Sequence, residues 1–98
     1  MTNYKEIYNI VVNEYGIAPH TKLEFNGFYL TVDDYLKAVI ECGGYKNILS
    51  IIKVLQYANA SDTDLLAFLK GASSHIIFEA TSGNERFAVY YKDKIKHC

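Results

Sequence analysis

Few side chains in this sequence can hold a metal or carry a thiolate: His20, His75, His97, Cys42 and Cys98. None falls in a CxxC, HExxH or paired CxxC…HxxxH spacing, the spacings that bring ligands to one tetrahedral centre. His97-Cys98 offers two adjacent ligands, fewer than a structural site needs, so no metal and no cofactor is expected. Ser73-Ser74-His75 sets hydroxyls beside an imidazole, but sequence neighbours seldom meet in attack geometry, and no GxSxG elbow is present. Cys42 lies at an expected helix C-terminus, where the dipole disfavours a thiolate, and reads as a small buried side chain. Gly43-Gly44-Tyr45-Lys46 lacks Walker spacing, and no GxGxxG follows a strand. Asp33-Asp34 and the Asp62/Asp64 pair belong to expected first helical turns, where negative charge offsets exposed N–H groups. No catalytic residue is assigned, and the chain reads as non-enzymatic.

The elements that must position any site are organised around residues 26–44. Asn26-Gly27 between apolar runs is a strong hairpin signal, because a type I′ turn needs positive φ at both central residues. The strands are residues 22–25 and 28–31, with Phe25 facing Phe28 and Leu23 facing Leu30 on one face, and Glu24 and Tyr29 on the other. Thr31 is the expected N-cap of a helix over 32–42, with Asp34 three positions on. Val32, Tyr35, Leu36, Val39 and Ile40 form its apolar stripe.

A first helix is expected over residues 2–15, carrying Tyr4, Ile7, Tyr8, Val11 and Tyr15 on one face. A third, over 46–58, is apolar nearly all round and is expected to be central, packed on more than one side. Ser61 and Asp64 repeat the capping spacing and open a short helix over 62–70, which Lys70 and Gly71 are expected to close. Residues 75–81 and 84–91 then read as a second hairpin around Ser82-Gly83, with Phe78 opposite Phe87 and Glu79 opposite Arg86. Residues 92–98 read as a loosely ordered charged tail. The order α-ββ-ααα-ββ, without regular βαβ alternation, gives an α+β class: one domain over residues 1–98, with antiparallel hairpins packed against helices.

The chain has a net charge of −1, and Arg86 is the only arginine among ten basic residues. That argues against recognition of nucleic acid by arginine forks. Two cysteines do not make a disulfide framework and fit a reducing cytosol. Lys5 and Glu6 precede any apolar run, so no signal peptide is read, and no segment approaches the roughly 18 apolar residues of a membrane span.

Nine tyrosines remain to be placed, and there is no tryptophan. Tyr4, Tyr8, Tyr15, Tyr35 and Tyr57 fall on or near apolar helix faces. The two hairpin registers put Tyr29 and Tyr90 on the outer sheet face, with Glu24, His75, Ile77, Glu79 and Arg86. Tyrosine is enriched in interface cores, so this face is the expected partner surface. The leading functional reading is therefore a protein-interaction module with a protein partner. In size and in acidic, tyrosine-rich composition the chain resembles small inhibitors carried by phages and mobile elements, of the anti-CRISPR or anti-restriction kind. That resemblance implies that Glu24, Asp33, Asp34 and Glu41 offer charge to a basic groove of a host defence protein. The alternative is single-stranded nucleic acid, stacked on Tyr29 and Tyr90 with Arg86, Lys92, Lys94 and Lys96 at phosphates. A third reading is a small enzyme or ligand-binding domain with a site assembled from scattered residues.

Overall fold

A computed structural model describes residues 2–98, with side chains from Tyr4 onward; Met1 lies outside the described residues. The elements run α1 (Thr2–Tyr8), a π-helical continuation (Asn9–Glu14), β1 (Lys22–Phe25), β2 (Phe28–Thr31), α2 (Val32–Glu41), α3 (Tyr45–Tyr57), α4 (Asp62–Thr81), α5 (Glu85–Tyr91) and β3 (Lys96–His97). The class is α+β, as expected, with a three-stranded antiparallel sheet in the order β1-β2-β3.

The first hairpin has the register the sequence implies. Leu23 pairs with Leu30, Glu24 with Tyr29 and Phe25 with Phe28, and Asn26 and Gly27 take φ of 53° and 86°. Leu23 and Leu30 point into the core and are buried. Thr31 caps α2 by accepting the Asp34 N–H at 3.1 Å. Buried Val32, Tyr35, Leu36, Ala38 and Val39 then face inward along α2.

The second half of the chain departs from the expected pattern. There is no second hairpin: residues 62–81 are one twenty-residue helix, and 85–91 form another. Gly71 does not end a helix but lies within α4. The buried residues of α4 are Leu65, Leu69, Ser73, Ile76 and Ile77, an i, i+4, i+8, i+11, i+12 stripe that passes straight across Gly71. This stripe lies against β1, with further contact to β2 and α5. Burying two turns of Ile and Leu outweighs the glycine, which costs a helix only about 1 kcal/mol relative to alanine. Ser82-Gly83 is a helix stop: Gly83, at φ 95°, sends its N–H to the Ala80 carbonyl at 3.4 Å, and Asn84 sends its own to Glu79 at 3.0 Å. That is the Schellman pattern. Asn84 then caps α5 by accepting the Arg86 N–H at 3.1 Å.

Two further expectations change. The segment 92–98 is laid onto the sheet, with His97 paired to Phe28 and Lys96 to Tyr29. The Cys98 N–H reaches the Gly27 carbonyl at 2.9 Å. And α3 is peripheral, with Ile52 as its one fully buried residue; it rests on α1 and α2 alone among the stronger element contacts.

A side chain at residue 71 would meet nothing within 4 Å. Gly71→Ala is therefore expected to raise stability in a urea melt by about 0.5–1 kcal/mol, the helix-interior difference between the two residues. A loss of stability would place Gly71 at a left-handed helix end and contradict a continuous α4.

Candidate functional site

The residues expected to share one partner surface are dispersed. Ile77 is fully buried, because it belongs to the core stripe of α4 and not to an outer sheet face. Arg86 is exposed in the first turn of α5, and Tyr90 is half-buried near that helix's end. His75 is exposed on α4, its ring edge-on to Phe87 at 5.8 Å between centroids. Only Glu24 and Tyr29 keep their assigned place on the outer face of the hairpin. There the Lys22 ammonium stands 4.7 Å from the centre of the Tyr29 ring, and Lys96 is its neighbour across the strand pair. The cation covers a ring face on which a base would stack, and Tyr90 is on another element, so a two-tyrosine platform is not assembled.

The acids do not form a patch either. Asp33 and Glu41 sit at opposite ends of α2, and each has a cation. Asp33 meets Lys37 at 2.9 Å across one helical turn, and it also accepts the Tyr4 hydroxyl from α1. Glu41 meets Lys94 at 3.4 Å. Burial pushes the Asp33 carboxyl up, but the hydrogen bonds from Tyr4 and Lys37 outweigh it and hold the group below its ordinary value. The same contacts shift their partners: Lys37 rises through its bond to Asp33, and Tyr4 rises through burial and then that bond. The arrangement clamps α1 to α2. Asp34 serves the cap of α2 through its backbone N–H, and its carboxylate, like that of Glu24, makes no ion pair among the described residues.

Cys42 is exposed, not buried. It donates to the Val39 carbonyl at 3.3 Å and lies 3.8 Å from the Tyr91 hydroxyl. The buried members of this corner are Tyr35 and Tyr91, whose hydroxyls are raised chiefly by burial.

The surface that sequence reasoning missed is the outer side of α3. Ile51 is 40%, Val54 66% and Tyr57 93% exposed. The helix is oriented by its other side: Lys53 pairs with Glu6 at 3.1 Å, Gln56 donates to Glu14 at 2.9 Å, and Ile52 plugs the core. With those contacts made, Ile51 and the third and sixth positions after it are left uncovered, and three large side chains stand in solvent. The signal was present as an excess of apolar residues over what one neighbouring face can bury.

Among the described residues no group of three or more His, Cys, Asp and Glu could hold a metal ion, and no helix is long and apolar enough to cross a membrane. No family model, curated protein or solved structure matches the chain.

Because the folded Asp33 value is depressed, its contribution to stability is complete above the unfolded carboxyl value and is lost as pH falls through the folded one. Asp33→Asn is therefore expected to cost about 1 kcal/mol at pH 7, a figure kept small because solvent reaches Lys37. The difference from wild type should close below about pH 4. Urea melts at both pH values test this, and an equal loss at each would remove the ionic clamp.

Proposed function

We propose that the chain is a small protein-interaction module and that α3 carries its docking surface. The observation behind this is the exposure of Ile51, Val54 and Tyr57 on a helix whose polar side is already tied to α1 and the π-helical segment. An amphipathic helix presenting apolar anchors three residues apart suits a hydrophobic groove on a partner. Tyr57 supplies large area, few rotors and a polar tip, the properties that favour tyrosine at energetic centres of interfaces. The proposal assigns the chain no catalytic step. In its finer form the partner is a host defence protein and the chain is its inhibitor, carried by a phage or mobile element. Contact then runs through apolar packing on α3 and not through imitation of DNA by carboxylates.

The test is an affinity pulldown with and without nuclease, followed by titration of the captured protein, re-expressed, against wild type and Val54→Ser/Tyr57→Ser. Both positions are exposed, so the double variant should melt within about 0.5 kcal/mol of wild type. The proposal expects its affinity to fall at least about tenfold, the loss of one interface anchor. Undiminished binding would overturn α3 as the surface. A capture abolished by nuclease and by Lys92/Lys94/Lys96→Gln would replace the reading with nucleic acid.

A further inference from the structure

The C-terminal segment builds one wall of a groove of about 500 Å³, to which α3 contributes no lining residue. Its apolar lining comes from Phe28 on β2, Ala80 near the end of α4, and Ile95 in the turn before β3. Thr81, Lys92 and His97 supply the polar lining. The size lies within the range of small-ligand sites, about 300–1,000 Å³.

The wall is anchored at several points. The Lys94 and Ile95 N–H groups both donate to the Tyr91 carbonyl at 2.9 Å. The Lys94 ammonium reaches Glu41 at 3.4 Å, and β3 is paired to β2. The His97 ring lies against Phe28, with 4.6 Å between centroids, so one edge of the groove is an aromatic pair.

The electrostatics favour one sign of ligand. α4 ends at this groove, and an exposed helix C-terminus would attract a cation through free carbonyls. Here most of those carbonyls are bonded: Phe78, Glu79 and Ala80 accept the N–H groups of Ser82, Asn84 and Gly83, and the Thr81 hydroxyl turns back to the Ile77 carbonyl at 2.7 Å. Glu79 is engaged by the Asn84 amide at 3.1 Å. Lys94 is taken up by Glu41. Lys92 makes no ion pair among the described residues, and it lines the groove together with a histidine able to donate.

We propose that this groove binds a small amphipathic anion, its apolar body against Phe28, Ala80 and Ile95 and its carboxylate at Lys92 and His97. The site is remote in sequence from α3 and independent of the interaction reading, and it gives the chain a ligand-binding function. No bond is made or broken in it.

The experiment is a titration of isotope-labelled protein with sodium decanoate, followed by amide chemical shifts, beside decyltrimethylammonium as a chain of the same length and opposite charge. The expected result is saturable decanoate shifts centred on Phe28, Ala80, Thr81 and Ile95, with weaker binding of the cation. Lys92→Gln and His97→Gln, both at exposed positions, should each weaken decanoate about twofold to fivefold, the range of an exposed charge contact, and leave the cation unchanged. Equal binding of the two probes, or shifts that never saturate, would overturn the proposal. Shifts centred on Ile51, Val54 and Tyr57 would overturn it too, and would leave α3 intact as an apolar docking surface.

Discussion

The burial of one stripe of α4 on the sheet is the constraint from which the rest of the arrangement follows. Leu65, Leu69, Ser73, Ile76 and Ile77 lie on one side of a twenty-residue helix, and the hairpin offers Leu23 and Leu30 to meet them. A helix of that length crosses the inner face of a short sheet and leaves room for α5 to fold back along it, bringing Tyr91 into the core. The return of the chain then carries residues 92–98 to the open edge of β2. α1 and α2 close the remaining side around Ile7, Val11, Tyr35 and Leu36. α3 adds Ile52 to this core and packs Ile48, Leu49 and Leu55 against it.

Functional candidates arise from what this packing leaves over. α3 buries Ile52 and packs Tyr45, Ile48, Leu49 and Leu55 against the core, which leaves Ile51, Val54 and Tyr57 exposed, and the ion pair and amide contact of Lys53 and Gln56 fix which way they face. The groove beside β3 lies between the C-terminal segment, which pairs with β2 through Lys96 and His97, and the end of α4. Two acids of α2, by contrast, are consumed by the fold: Asp33 holds α1, and Glu41 holds the C-terminal turn. Half of the four acids that look available in the sequence are neutralised in place, and the exposed side of α3 is apolar.

The first half of the chain was legible because its signals agree. Turn chemistry at Asn26-Gly27, the alternation of Leu23, Phe25, Phe28 and Leu30, and the cap at Thr31 all imply one register and one helix start. The second half was not, because its local signals have two readings. A positive-φ glycine serves a helix stop as well as a hairpin turn, so Ser82-Gly83 did not decide between them. The β-branched and aromatic residues of 75–91 suit strands locally, and buried Ser73 with exposed Gly71 breaks the apolar run in which the helix would be recognised. Tertiary burial settled the choice, and with it the fate of Ile77 and Tyr90. Exposure of α3 depended on the same long-range packing: an apolar helix reads as central until another helix takes the central place.

The most direct measurement is of backbone state over residues 72–81, by Cα chemical shifts and amide exchange. A continuous α4 predicts helical shifts through Gly71 to Thr81, with the amides of Ser73, Ile76 and Ile77 among the slowest to exchange, opening only with the whole fold. Extended shifts over 75–81, with cross-strand contacts to 84–91, would contradict it. They would restore a second hairpin and take from α3 the reason it stands exposed.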